Sequence, residues 1–328
     1  MNYRSIGDTK LKVSELSFGT WAIGGAWGKT DDEEALRALE RAMEAGVNFF
    51  DTADVYGDGH SEELLARATK GKEDRIYIAT KFCRAGDIND PKTYSEKSVR
   101  HYLENSLRRL KRERVDLYQV HCPPFEMIKD GRVFEVLDRL QQEGKVRYYG
   151  VSVESVEEGI YTIEHYPNVK SLQVIFNLFR QKPLEKLFPL AKEKGVGIIA
   201  RVPLASGLLT GKFNESSTFE EDDHRNFNRN GELFNVGETF AGLEFTKGVE
   251  LSRKLSWIQE GRGNMTRASL RWILDQDSIS TVIPGFKNEK QVMDNLKALE
   301  VPSFTSDERK QLEEFYLREV HDHIRGKY

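Results

Sequence analysis

One pattern constrains this chain more than any other: short β-branched, apolar runs alternate with amphipathic stretches, about eight times, with no break in composition. The runs at 16–20, 48–53, 76–81, 116–121, 148–153, 172–177, 197–202 and 280–284 read as strands. Helices are expected over 32–45, 61–70, 94–111, 133–143, 155–165, 184–194 and 265–276. Several open on cap-like residues (Asp31, Ser61, Ser155) and close near glycine (Gly46, Gly71, Gly144, Gly195). Strand–helix alternation on this scale specifies a parallel α/β architecture and a single domain over 1–328.

Two parallel architectures compete. An open doubly wound sheet that binds a dinucleotide carries G-x-G-x-x-G after its first strand, whereas here the first strand runs into Gly19-Thr20-Trp21-Ala22-Ile23-Gly24-Gly25. The N-terminal segment also reads as a hairpin turning at Gly7-Asp8, placed to plug the bottom of a barrel. The expectation is therefore a (β/α)8 TIM barrel with an N-terminal hairpin. A long polar, Gly-rich βα loop is expected at 203–244, and a charged C-terminal tail over 302–328 with a helical patch at 306–318. Loops that long in a compact domain are usually functional or disordered, and at the C-terminal mouth of a barrel a functional role is expected.

In a barrel the strand ends and βα loops form the reactive face. Asp51 ends the second strand and Tyr56 follows it; Lys81 closes the third and His121 the fourth. Each alone reads as an ordinary ion pair or structural histidine, but four on consecutive strand ends converge on one mouth. The set suits carbonyl reduction. A hydride added to a carbonyl leaves an alkoxide that needs a proton, and a free phenol is a poor acid at neutral pH. Lys81 is expected to lower the pKa of Tyr56, Asp51 to hold Lys81 charged, and His121 to orient the carbonyl.

Asp51-Thr52-Ala53-Asp54-Val55-Tyr56-Gly57, Ala79-Thr80-Lys81 and the strand ending in His121 resemble, in combination, the signature of the aldo-keto reductase superfamily. The resemblance runs from Ser17-Phe18-Gly19-Thr20 to about Leu299. It implies an oxidoreductase with Tyr56, Asp51, Lys81 and His121 as catalytic residues and NADPH/NADP+ bound extended across the mouth. It places Lys287 and Gln291 on the 2′-phosphate, Asn295 on the adenine, and Gly285 in the turn before them. The segment Val202-Pro203-Leu204-Ala205-Ser206-Gly207-Leu208-Leu209-Thr210-Gly211-Lys212 matches the loop around the pyrophosphate, so Val202, Pro203, Leu204, Ser206, Gly207, Leu209 and Lys212 are assigned to cofactor binding. Ser152 and Gln173 match positions on the nicotinamide carboxamide. Thr20 and Trp21 match the loop beside the nicotinamide ribose, and Trp21, Tyr56 and His121 are expected to meet substrate. Independently, Ile283-Pro284-Gly285-Phe286-Lys287-Asn288 opens a helix, whose N–H groups and positive dipole end suit a phosphate.

Two departures from the family pattern stand out. Val153 replaces the usual asparagine after the fifth-strand serine, and Arg201 stands where an aromatic commonly stacks on the nicotinamide. A guanidinium also stacks on a flat ring, and its charge is expected to disfavour the oxidised, cationic ring.

The formal net charge of -4 offers no broad field for nucleic acid or an anionic membrane, and no run approaches a membrane span. Two cysteines, Cys83 and Cys122, cannot build a disulfide framework, and no secretory h-region opens the chain; a cytoplasmic protein is expected. His60, His101, His165, His224, His321 and His323 lack zinc-site spacing, so no metal is expected. Two rivals remain: a cofactor-sensing partner subunit with little turnover, and a barrel lyase using Lys81 as a Schiff-base nucleophile. Substrate choice falls to Trp21, Ala26, Trp27, Cys122-Pro123-Pro124 and the 203–244 loop, and the sequence leaves the particular carbonyl compound and the oligomeric state open.

Overall fold

A computed structural model describes residues 1–25 and 30–328. Two strands, β1 (Tyr3–Ser5) and β2 (Lys12–Ser14), form an antiparallel hairpin. Eight parallel strands follow in sequential order: β3 (Phe18–Gly19), β4 (Phe49–Asp51), β5 (Tyr77–Phe82), β6 (Val115–His121), β7 (Val146–Ser152), β8 (Ser171–Ile175), β9 (Gly197–Arg201) and β10 (Ile279–Val282). Parallel bridges Leu16–Val282 and Gly19–Gly285 bring the two edge strands together and close the barrel. The helices are α1 (Asp32–Glu44), α2 (His60–Ala68), α3 (Glu96–Leu110), α4 (Phe125–Asp130), α5 (Arg132–Gln142), α6 (Val156–His165) and α7 (Leu187–Glu193). They continue with α8 (His224–Phe227), α9 (Phe245–Lys254), α10 (Met265–Leu274), α11 (Glu289–Leu296) and α12 (Ser306–Phe315).

The start signals act largely as expected. Asp31 caps α1 through its side chain, and Ser155 and Glu158 form a reciprocal capping box at α6. Ser61 departs from its expected role: α2 begins at His60 with Gly59 as its cap, and the buried Ser61 hydroxyl instead donates to Thr20 Oγ1 at 2.6 Å. That bond ties the start of α2 to the loop that follows β3.

Alternation along each strand sorts the interior into layers. The lower layer is apolar: Phe49, Ala79, Leu117 and Ile199 pack with Ile6, Leu11 and Val13 of the hairpin, which plugs the bottom. Two residues further along each strand the interior turns polar, at Asp51, Lys81, Gln119 and Arg201, all buried. A polar layer inside a barrel demands partners, and it lies at the end where the βα loops gather. The other strand faces pack against the helices in one continuous core.

Candidate functional site

Lys81 is fully buried, and its ammonium donates to Asp51 Oδ1 at 2.5 Å, to the Thr52 carbonyl at 2.8 Å and to the Tyr56 hydroxyl at 3.2 Å. Those three bonds use all three of its N–H groups. Burial pushes its pKa down, but Asp51 and then Tyr56 outweigh that and hold it above the ordinary lysine value. An ammonium so engaged has no lone pair to offer a carbonyl, which removes the footing of the Schiff-base lyase. Asp51 is held in turn: its other oxygen accepts from Gln119 at 3.1 Å and from Gln173 at 2.8 Å.

Tyr56 reaches this ammonium because its loop is pressed against the first strand's loop. A Cβ on Gly57, where φ is +62°, would lie 2.0 Å from the Gly24 carbonyl. Trp21 stacks near-parallel to the Tyr56 ring at 6.0 Å, and His121 meets that ring edge-on at 5.8 Å. Burial is the largest influence on the Tyr56 phenol and raises its pKa above 10.0, while Lys81 pulls it down without reversing the shift. The expected net acidification is thus corrected: desolvation, which no motif reveals, outweighs the cation. The phenol is kept protonated. His121 is held well below the ordinary histidine pKa by burial, then by Arg84, Lys81 and Arg201, so its imidazole is neutral. Its Nδ1 is buried without a hydrogen-bond partner.

Above these residues opens a cavity of about 410 Å³ lined by Asp51, Tyr56, His121 and Gln173 and also by Lys287, Gln291 and Asn295. Trp21, Arg201, Val202, Pro203, Leu204, Ser206, Gly207, Lys212 and Gly285 line it too. Thr20, Ser152 and Leu209 do not: Thr20 donates to the Asp51 carbonyl at 3.0 Å, Ser152 accepts from the Cys122 thiol, and Leu209 is core. Some groups are engaged within the protein. The Ser206 hydroxyl bridges the Glu238 carbonyl and the Phe240 N–H, Gln291 Oε1 accepts from the Lys287 N–H at 2.7 Å, and Gln173 donates to Asp51. Val202, Ala205 and Ser206 all have positive φ, a costly conformation for a β-branched residue such as Val202 and common at ligand-binding turns. Ala26 and Trp27, expected beside the substrate, lie outside the described residues.

One cluster was missed by sequence reasoning. Glu238, from the long loop, lines the cavity with Oε1 2.8 Å from Arg84 and Oε2 3.7 Å from Arg201; Arg84 also meets Glu154 at 3.4 Å. Burial would raise the Glu238 pKa, but Arg84 and Arg201 hold it at about 2. Cys122, Glu154 and Glu238 place ligand-type atoms within 4.8 Å of one another, yet the two guanidiniums already balance that charge. Cys83 and Cys122 are buried free thiols at positive φ directly after β5 and β6, with the Cys83 thiol pushed up by burial to about 12. Among the described residues, no helix is long and apolar enough to cross a membrane.

Comparison with known proteins bears on this geometry. A family model described as the Aldo/keto reductase family matches residues 15–317. An aldo-keto reductase of Bacillus subtilis is 33% identical, with 89% of this chain and 87% of that protein covered. A probable voltage-gated potassium channel subunit beta of Oryza sativa is 29% identical over 92% of each. Among solved structures, a glycerol dehydrogenase from Gluconobacter oxydans superposes with a TM-score of 0.78 at 31% identity, covering 100% of this chain and 98% of its own. The holo form of an aldo-keto reductase from Bacillus halodurans gives 0.74 at 28%, with 96% of each chain covered.

Proposed function

Because this chain belongs to the aldo/keto reductase family of nicotinamide-dependent oxidoreductases, we propose that it reduces aldehydes or ketones to alcohols with NADPH, Tyr56 being the proton donor. One observation carries the reading: a buried ammonium joins the Tyr56 hydroxyl to the Asp51 carboxylate at the floor of a cavity that His121 also lines.

The residues present fit a dinucleotide. Arg201 Nε and His121 Nδ1 are buried without hydrogen-bond partners in residues that line the cavity. The left-handed turns at 202–207 expose backbone close to the groove, Lys212 is exposed at its rim, and α11 presents its N-terminus with Lys287 beside it. Lys287 supports NADPH over NADH through the extra phosphate.

A dihydronicotinamide bound there would supply a hydride to the carbonyl carbon. Tyr56 gives its proton to the carbonyl oxygen, whose developing alkoxide is a far stronger base than a phenolate, so transfer runs downhill even from a phenol with a raised pKa. The phenolate left behind is stabilised by the Lys81 ammonium, which Asp51 keeps charged. Neutral His121 can donate one N–H to the carbonyl oxygen without competing as a charged acid. Run backwards, the same groups oxidise an alcohol, which agrees with a structural neighbour named glycerol dehydrogenase.

The similarity to proteins named potassium channel beta subunits keeps a partner-subunit role as the alternative. The intact proton relay favours turnover. Wild-type protein should oxidise NADPH against a panel of aldehydes and ketones. Tyr56→Phe should cut turnover by about a hundredfold or more while leaving NADPH affinity within a few-fold; full turnover in that variant would refute the reading.

A further inference from the structure

We propose that Glu238, carried on the long loop, sets the balance of affinity between oxidised and reduced cofactor at this site. The inference rests on the reading that a nicotinamide dinucleotide occupies the cavity.

Four charged side chains meet at the mouth. Arg84 follows β5, Glu154 follows β7 and Arg201 closes β9, so three of them are fixed to the barrel's strand ends. Arg201 is held there by bonds from Nη2 to the Val153 carbonyl at 3.3 Å and to Cys122 Sγ at 3.4 Å. Glu238 arrives from the 203–244 loop, and Asn235 of the same segment donates to Glu154 at 2.9 Å. Among these four side chains two cations face two anions, and Lys327 reaches Glu154 at 4.0 Å from the outside. Removing the Glu238 carboxylate makes the local charge more positive by one unit in the cavity that Arg201, Tyr56 and His121 also line.

The ring that delivers hydride must lie within reach of a carbonyl held by Tyr56 and His121, and therefore beside this cluster. That ring is neutral when reduced and carries one positive charge when oxidised. The phosphates are common to both forms, so a change of one unit in local charge beside the ring shifts the ratio of NADP+ to NADPH affinity. Arg201 alone would penalise the oxidised ring; the seated Glu238 cancels that penalty and favours the charge that develops as hydride departs. Within the loop, the Ser206 hydroxyl donates to the Glu238 carbonyl and accepts from the Phe240 N–H, which packs the segment carrying Glu238 on the 202–207 turn.

Dissociation constants for NADP+ and NADPH, measured by quenching of protein fluorescence at fixed ionic strength, test the proposal. Glu238→Gln should weaken NADP+ relative to NADPH by about ten- to thirtyfold, the effect of one charge at an effective dielectric near 20. Glu238→Asp should restore the wild-type ratio. Arg201→Gln should move the ratio the opposite way, which supplies a second sign even if Glu238→Gln folds poorly. An unchanged ratio in Glu238→Gln and Arg201→Gln, with both cofactors still bound, overturns the inference. Equal weakening of both cofactors also overturns it, reducing Glu238 to a loop tether. Wild-type protein that bound neither dinucleotide would instead remove the cofactor reading on which it stands.

Discussion

Two residues before Tyr56, both carboxylate oxygens of Asp54 lie buried with no hydrogen-bond partner. Desolvation, then the neighbouring buried Glu62, push its pKa up to about 7, while Arg109 and Lys81 pull the other way. Arg109 is committed to Glu62, its Nε 2.6 Å from that carboxylate. The folded state therefore holds a proton that the unfolded chain releases near the ordinary carboxylate pKa. Stability from this group is fullest at pH below about 4 and falls as pH rises to about 7, by on the order of a few kcal/mol. In urea titrations across that window, Asp54→Asn should flatten the decline relative to wild type; an identical slope would show that water or a cation already satisfies Asp54. The pH dependence of catalysis should look different. With His121 neutral and Tyr56 protonated, kcat should be level between about pH 7 and 9, and a limb in that range that vanishes in Tyr56→Phe would show that bound cofactor acidifies the phenol. Asp51, Tyr56, Lys81 and His121 could be read from the sequence because strand ends fix where such side chains point. Glu238 and Arg84 could not, being 154 residues apart in the chain and paired only by the path of a loop.

That loop was legible as an element but not in its internal order. It reads as polar and Gly-rich, yet Phe213, Phe219, Phe240 and Phe245 form a packed aromatic cluster within and after it, with the Arg225 guanidinium 4.5 Å from the Phe219 ring. Their spacing follows neither helical nor strand periodicity, so pattern reading passes over them. The charged tail, expected only as a helical patch, has a definite contact. Arg325 donates to the carbonyls of Gly242, Leu243 and Arg229 at 3.0–3.3 Å and to the Asn230 side chain at 3.1 Å. These bonds fasten the C-terminal half of the loop. Arg325→Ala should free them at a local cost of about 1–3 kcal/mol, seen as faster proteolysis and amide exchange within 229–243. The thermal midpoint of the barrel should barely move, since the core strands are untouched. Unchanged protection in that segment would mean that the aromatic cluster holds the loop unaided.

The barrel as a whole separates what holds it together from what it does. Ile6, Leu11 and Val13 fill its lower end against Phe49 and Ile199, and the charged layer begins one inward-facing position higher, at Asp51 and Arg201. The eightfold alternation made this architecture readable, and the Gly7-Asp8 turn marked the plug. The closeness of the fit at that turn could not be read, because it depends on where β9 starts. A Cβ on Gly7, at φ +54°, would lie 2.2 Å from the Gly195 carbonyl and 2.7 Å from the Gly197 nitrogen, in backbone that cannot give way cheaply. Gly7→Ala should therefore cost about 2 kcal/mol or more in urea unfolding, from left-handed strain and displaced backbone together. The contacts it disturbs all lie at the lower end, with an apolar layer between them and Lys81. In the folded fraction, kcat and cofactor affinity should then match wild type. Loss of stability together with altered kcat would mean that strain at the plug reaches the Asp51–Lys81 pair through the shared strands, so that the apolar layer transmits displacement instead of isolating the mouth.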